Sequence, residues 1–276
     1  MLFAGKREDG EKCLVVPHIP KTAGTTLRMI IGREYRSRES LFVYEKARKF
    51  HKISKLEGMT SKRKQRIRVL MGHFGMNIKD IFPSPFECFT LLRDPVEKIL
   101  SQYAHGTHLN DRWRGRDVSI EEFVCSGRKG RIGPGNRNHM TRLLSGVAKG
   151  TIKEYIPEAL LDMALENIDN HFTLTGISEM FDESVFLLSQ KMGWRPPYHV
   201  RENVSKERPN ISDIDEALLD VIVDNNKQDR LLYDQMKARF LDEWHAQDKQ
   251  FHADFATFKI ENDKYVKTHK AKVVWK

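Results

Sequence analysis

The sequence predicts an α/β fold: a central, mostly parallel β-sheet flanked by helices, with a helix-rich C-terminal half. Three short apolar runs typical of buried strands support this prediction, and each ends in a loop: Cys13–Val16, Arg68–Met71 and Phe86–Leu92. Apolar residues then recur at helical spacing from about residue 212 to Phe255, with both Leu231 and Leu232 assigned to the buried stripe. The 276 residues suit a single domain over 1–276, in which residues 259–276 are expected to form a loosely attached basic tail.

The loop after the first strand has the composition of an anion cradle. A strand, a tight loop and a helix at Leu27–Ile31 are the parts of a P-loop-like core, in which free N–H groups and the helix dipole attract phosphate or sulfate. Lys21 adds a full charge and Gly24 permits a close backbone approach. A Walker loop places glycines before its lysine, whereas Lys21 precedes Gly24. A proline turn with a threonine N-cap is the structural alternative.

His73 follows the second strand, at the point where Gly72 breaks it. In open α/β sheets ligands collect beyond the carboxyl ends of the strands, so His73 and the first loop are expected at the same edge. A lone histidine is usually structural. The residues alone leave a structural and a functional role for His73 equally open.

The third strand ends at Arg93-Asp94-Pro95, and Pro95 suits the first position of a helix. Arg93 therefore emerges at a strand end, and Ser101 falls two turns into the helix. Both residues suit a second anion, because the planar fork of arginine matches phosphate geometry. An ion pair between Arg93 and a nearby carboxylate is the alternative.

Composition restricts the partners. A formal charge of +9 favours anionic ligands without choosing among nucleotide, nucleic acid, acidic glycan and membrane headgroups. The three cysteines form no spaced framework, so we expect neither a disulfide scaffold nor a metal site. No run of about 18 apolar residues occurs, and we expect a soluble protein. The polar segment 128–138 is a candidate acceptor loop, and a solvated connector is its alternative.

Taken together, three motifs resemble the sulfotransferases that use 3′-phosphoadenosine 5′-phosphosulfate (PAPS), and in particular the branch of heparan and dermatan sulfate O-sulfotransferases and their bacterial relatives. The motifs are HIPKTAGTTL after the first strand, GHFG after the second and LLRDPVEKILSQY at the third. They occur in the family's order and span roughly residues 13–103. A looser likeness covers residues 138–146 and 203–209.

The resemblance implies sulfuryl transfer from PAPS to an acceptor hydroxyl, with a carbohydrate as the expected acceptor, 3′-phosphoadenosine 5′-phosphate as the product and no metal required. It implies that His73 is the catalytic base, a role that suits an ordinary histidine pKa of about 6.5. Lys21 would stabilise the leaving phosphate. The 5′-phosphosulfate would bind at Lys21, Thr22, Ala23, Gly24, Thr25 and Thr26, and the 3′-phosphate at Arg93 and Ser101. Asn203, Ser205 and Lys206 would close over the nucleotide.

Two alternative functions remain at the level of sequence. A nucleotide kinase-like P-loop enzyme shares the strand, loop and helix but lacks the Gly-Lys-Ser/Thr order. A basic module that binds nucleic acid or anionic glycan without catalysis accounts for the charge and leaves the three motifs unexplained. The expected location is cytoplasmic, or the Golgi lumen if the chain is a trimmed catalytic domain.

Overall fold

The computed structural model describes residues 12–44, 51–82, 85–109, 118–126, 136–147, 158–201 and 208–269. Its strands are β1 (Cys13–Pro17), β2 (Ser40–Val43), β3 (Val69–Gly72), β4 (Phe86–Leu92) and β5 (Phe172–Ile177). They form one sheet in the order β2-β3-β1-β4-β5, and every neighbouring pair is parallel. The predicted α/β fold with a central parallel sheet is confirmed.

Helices flank the sheet and dominate the chain after β4, as predicted. They are α1 (Gly24–Glu34), α2 (Ile53–Glu57), α3 (Ser61–Lys64), α4 (Pro95–Leu109), α5 (Ile120–Val124), α6 (His139–Leu144), α7 (Ala159–His171), α8 (Phe181–Lys191), α9 (Glu216–Asp224), α10 (Lys227–His245) and α11 (Lys249–Thr268). Four short 3₁₀ turns join some of these elements within the described ranges.

The middle of the sheet is fully buried, which explains its unbroken apolar sequence. All four residues of β1 from Cys13 to Val16 are 0% exposed, and so are Val69, Leu70 and Met71 of β3. A parallel sheet covered on both faces requires apolar side chains on both sides of each strand. Burial of these apolar side chains is therefore the main favourable contribution to the stability of the sheet.

The C-terminal helical region differs in detail from its prediction. The expected long helix divides into α9, α10 and α11, and Asp248 caps α11 by accepting a hydrogen bond from the Phe251 N–H. Leu232 is fully buried whereas Leu231 is 52% exposed, so the assignment of Leu231 to the core is wrong. The buried stripe of α10 includes Leu232 and Tyr233, and Leu231, which points about 100° away from Leu232 on the other side, falls outside it.

The segment predicted to be a loose tail begins inside α11. The Asn262 side-chain carbonyl accepts a hydrogen bond from the His199 N–H at 2.7 Å, and the Tyr265 ring stacks on the Tyr198 ring at 6.1 Å. These contacts attach residues 259–268 to the body of the protein. Residues 270–276 lie outside the described part of the chain.

Candidate functional site

The carboxyl ends of β1, β3 and β4 meet at one edge of the sheet. Pro17 at the end of β1 is paired with Gly72 at the end of β3, and the His18 N–H donates to the Gly72 carbonyl at 2.7 Å. On the other side, the Thr90 hydroxyl of β4 donates to the Pro17 carbonyl at 2.7 Å. The residues that follow these strands, including Lys21, His73 and Arg93, are therefore brought together as the sequence predicts.

The loop between β1 and α1 is held in a tight, specific conformation. Lys21 and Ala23 have φ angles of 72° and 59°, in the left-handed region that side chains other than glycine rarely adopt. The buried Thr22 hydroxyl donates to the Ile19 carbonyl at 2.7 Å. α1 begins at Gly24, with Thr25 and Thr26 in its first turn. Loop residues 21–23 and the start of the helix therefore form one compact turn.

Arg93 links this loop to the end of β4. One guanidinium nitrogen donates to the Lys21 carbonyl at 2.9 Å, and the other donates to the Glu97 carboxylate at 3.1 Å. Burial lowers the pKa of Lys21 to about 8, and the nearby positive charge of Arg93 contributes to that shift. Two cations thus lie close together at the sheet edge, an arrangement that favours a bound anion.

Two further charged residues complete this part of the site, and sequence analysis did not select either of them. Arg208 forms an ion pair with the Glu97 carboxylate at 2.6 Å, and Glu179, just beyond β5, lies 4.0 Å from the Arg93 guanidinium. Burial lowers the pKa of Arg93, and the Arg208 charge lowers it further. Arg208 lies in residues 203–209, for which the sequence has a looser likeness to PAPS-dependent sulfotransferases. That likeness was the signal that could have identified Arg208.

The remaining predicted nucleotide contacts are less defined. Ser101 is 8% exposed in the second turn of α4, and among the described contacts no hydrogen bond joins it to Arg93. Asn203, Ser205 and Lys206 lie outside the described residues. The same holds for residues 128–135 of the candidate acceptor loop, whereas the Asn138 side chain accepts from the N–H groups of Gln228 and Asp229 at 3.1 Å. Asn138 therefore caps α10 and has a structural role.

His73 lies exposed beside two other rings. The His73 backbone N–H donates to the Val43 carbonyl at 3.0 Å. The centroid of the His73 ring is 4.7 Å from the ring centroids of His18 and Tyr44. A Cβ on Gly72 would lie 2.0 Å from the Val43 carbonyl oxygen, so glycine is required where β3 passes this closely to β2. Tyr44 immediately follows β2. The ends of β1, β2 and β3 each supply one ring to the cluster.

His18 and Tyr44 form a hydrogen-bonded pair behind His73. The His18 Nδ1 and the Tyr44 hydroxyl are 3.0 Å apart. Burial lowers the pKa of His18 well below its usual value, and the charges of His73, Arg28 and Lys21 act in the same direction. Burial also raises the pKa of Tyr44. Both side chains are therefore neutral at pH 7, and they offer a fixed polar support for the His73 ring.

Gly24 makes room for His18. A Cβ on Gly24 would lie 1.7 Å from the His18 Nε2, whereas a Cβ on Gly32, in the same helix, would meet nothing within 4 Å. We expect Gly24→Ala to displace the His18 ring from Tyr44 and to lower the free energy of unfolding by about 1 to 3 kcal/mol. Gly32→Ala is the matched control and should stabilise by up to about 1 kcal/mol through helix propensity. Urea denaturation measures both, and equal stability of the two variants would contradict this role for Gly24.

Comparison with protein-family models gives no match, and comparison with curated proteins gives none either. Across the described ranges, no group of three or more His, Cys, Asp or Glu side chains is arranged to hold a metal ion. No helix in the described part of the chain has the length and apolar character needed to cross a membrane.

Proposed function

We propose that this protein is a sulfotransferase that moves a sulfuryl group from PAPS to a hydroxyl group of an acceptor, with a carbohydrate as the acceptor class. The observation that carries the proposal is the hydrogen bond from Arg93 to the Lys21 carbonyl, which joins two cationic positions at the ends of β1 and β4. PAPS carries phosphate groups on its 5′ and 3′ oxygens, so its binding site needs a cationic residue for each of them. A basic binding module needs neither this joint site nor a neighbouring histidine.

The loop and first turn of α1 suit the 5′-phosphosulfate end of the donor. Lys21 supplies a cation, Thr25 and Thr26 lie in the first turn, and the first N–H groups of a helix lack acceptors within the helix. Arg93, with Arg208 on the same Glu97 carboxylate, suits the 3′-phosphate. Ser101, on the helix that follows Arg93, is proposed as a further contact to the 3′-phosphate.

In the proposed reaction, PAPS supplies a sulfuryl group that is already activated by its bond to phosphate. The acceptor oxygen forms a new bond to sulfur as the bond between sulfur and the phosphate oxygen breaks. His73 takes the acceptor proton, and Lys21 stabilises the negative charge that develops on the departing phosphate oxygen. The products are a sulfate ester and 3′-phosphoadenosine 5′-phosphate.

His18 and Tyr44 contribute to this mechanism as positioning residues for His73. Both contact its ring, and both remain neutral while His73 gains and loses its proton. A neutral support avoids the repulsion that a second positive charge would exert on protonated His73.

The charge state of Lys21 gives a prediction about pH. Its pKa of about 8 means that the free protein loses this charge as the pH rises through 8. A bound anion favours the charged form, so affinity for 3′-phosphoadenosine 5′-phosphate should fall above pH 8, approaching tenfold per pH unit, with proton uptake on binding. Phosphate groups with a pKa of about 6 do not titrate in this range. Calorimetry between pH 7 and 9.5, in buffers of different ionisation enthalpy, measures both quantities.

Lys21→Arg is the matched control, because arginine stays charged throughout this range. Its affinity should be independent of pH between 7 and 9.5. The same pH dependence in wild type and Lys21→Arg would show that another group is responsible and would remove Lys21 from the nucleotide site.

The activity itself is tested with PAPS and a panel of hydroxyl acceptors that contains neutral glycans, acidic glycans and small alcohols, with transfer detected by mass. A gain of about 80 Da on at least one acceptor, dependent on PAPS, supports the proposal, since a sulfuryl group adds one sulfur and three oxygens. Phosphate transfer from ATP to the same panel would instead support a kinase.

A further inference from the structure

A cavity of about 650 Å³ lies along the edge strand β2. Residues 36–39 lead into β2 and Arg68 leads into β3, so these parts of the wall lie at the amino ends of the strands. His73 and Tyr44 follow the carboxyl ends of the same two strands. Among the described residues, the lining shares none with the cluster of His18, Tyr44 and His73, although the backbone carbonyl of His51 in the wall accepts a hydrogen bond from the Tyr44 N–H at 2.9 Å.

The charge of the cavity wall is strongly one-sided. Among the described residues, its lining has a single acidic residue, Glu39, which lies 3.9 Å from Arg38. The cationic side chains of the lining are Arg36, Arg38, Lys55, Arg63, Arg66 and Arg68. Within the described part of the lining, cationic side chains therefore outnumber carboxylates six to one. A concave surface lined by charges of one sign concentrates the field and raises the local concentration of opposite charge.

The surroundings of His51 are further evidence that positive charges lie close together in the cavity wall. The Lys55 ammonium lies 3.1 Å from the His51 ring nitrogens. The pKa of His51 is lowered, first by burial and then by the charges of Lys55 and Arg63. A histidine that is kept neutral by its neighbours adds no charge of its own and remains able to donate a hydrogen bond.

We infer that this cavity binds a compact polyanion, a small molecule that carries several phosphate or sulfate groups. Its volume lies within the range of about 300 to 1,000 Å³ that small-molecule sites occupy. Five of its six cations are arginines, whose planar forks bind oxyanions in a bidentate manner. The Ser37 hydroxyl adds a donor, and Leu41, Met59 and Ile67 supply an apolar surface for the carbon frame of the ligand.

Nucleic acid fits this wall less well. Single-stranded nucleic acid is held by aromatic side chains on which its bases stack, and the described part of the lining contains no Phe, Tyr or Trp. A duplex is too wide to enter a cavity of this volume and would contact only the exposed cations at the rim. The inference concerns a second anion site and does not depend on the proposed sulfotransferase activity.

Calorimetry on the full chain at physiological ionic strength tests the inference with three probes: inositol hexakisphosphate, sucrose octasulfate and inorganic tripolyphosphate. The cavity variant combines Arg38→Glu with Arg66→Glu, two exposed positions. The control combines Lys249→Glu with Lys267→Glu on the exposed face of α11 and changes the net charge equally. At least one probe should bind wild type with one-to-one stoichiometry, at least tenfold more weakly in the cavity variant and within twofold in the control.

The phosphate and sulfate probes distinguish the two sources of such a ligand. No binding by any probe, equal weakening in both variants, or tighter binding of a single-stranded oligonucleotide of matched charge would overturn the inference. Thermal unfolding without ligand checks that each variant is folded, and Arg38→Gln with Arg66→Gln replaces the reversed pair if it is not. Affinity for 3′-phosphoadenosine 5′-phosphate should be unchanged in the cavity variant. Failure of the cavity inference can therefore be distinguished from failure of the proposed sulfotransferase function.

Discussion

Replacing His73 with alanine is expected to lower the rate of sulfuryl transfer by roughly a hundred- to ten-thousand-fold, the contribution typical of a general base. Affinity for 3′-phosphoadenosine 5′-phosphate should stay within about twofold, because the exposed His73 ring packs against His18 and Tyr44 and lies outside the proposed phosphate contacts. Turnover is measured with PAPS and an acceptor selected from the panel, and affinity is measured by calorimetry.

His245→Ala is the matched control, since His245 is an exposed histidine at the end of α10. It should change neither turnover nor affinity. Near-normal turnover in His73→Ala would remove His73 from the mechanism. A loss of nucleotide affinity as large as the loss of turnover would show that His73 holds the nucleotide site together and does not act as the base.

Arg93→Ala is expected to weaken binding of 3′-phosphoadenosine 5′-phosphate at least tenfold. Hydrogen bonds to charged groups contribute about 1.5 to 3 kcal/mol, and each 1.4 kcal/mol corresponds to a factor of ten. Arg93 also supports the loop through the Lys21 carbonyl, so the comparison with AMP, which lacks the 3′-phosphate, is essential. Loss of affinity for the 3′-phosphorylated nucleotide alone identifies direct binding, whereas an equal loss for both nucleotides identifies support of the loop.

Arg195 provides a closely matched control for Arg93. It also donates to a backbone carbonyl, that of Arg33 at 2.7 Å, and to a carboxylate, that of Glu34 at 3.0 Å. Arg195→Ala therefore removes the same kinds of contact away from the sheet edge and should leave nucleotide affinity unchanged. Unaltered affinity in Arg93→Ala would contradict its assignment to the 3′-phosphate.

The sheet was predictable from sequence because its strands are buried on both faces. Cys13–Val16 is an unbroken apolar run and Phe86–Leu92 is mostly apolar, interrupted by Glu87 and Thr90, and the structure places strands at both. The division of the C-terminal region into three helices was not predictable from periodicity alone. Leu231 shows why: it fits the helical spacing as well as Leu232 does, and only the packing of α10 decides which of the two faces the core.

The candidate site was predictable where a distinctive motif follows a strand end. His73 and Arg93 directly follow β3 and β4, Lys21 lies four residues after the end of β1, and the structure brings all three to one edge of the sheet. Tyr44 directly follows β2 and Glu179 lies two residues after the end of β5, but neither carries a distinctive local pattern. Recognising them requires the strand order, which brings β2 beside β3 and β5 beside β4.

His18 was missed for a different reason. It lies within the first motif, where lysine, glycine and threonine account for an anion cradle without it. Its contact with Gly24 and its hydrogen bond to Tyr44 depend on how the loop folds back over the start of α1. A histidine directly after one strand, at the same sheet edge as His73, was the only signal in the sequence.

The most direct test of the central claim is a thermal unfolding experiment on the full chain with two nucleotides. The proposed donor site predicts that 3′-phosphoadenosine 5′-phosphate raises the melting temperature in a concentration-dependent manner, while ATP with magnesium at the same concentration does not. Stabilisation by ATP with magnesium and none by 3′-phosphoadenosine 5′-phosphate would contradict the sulfotransferase proposal and favour a kinase-like enzyme.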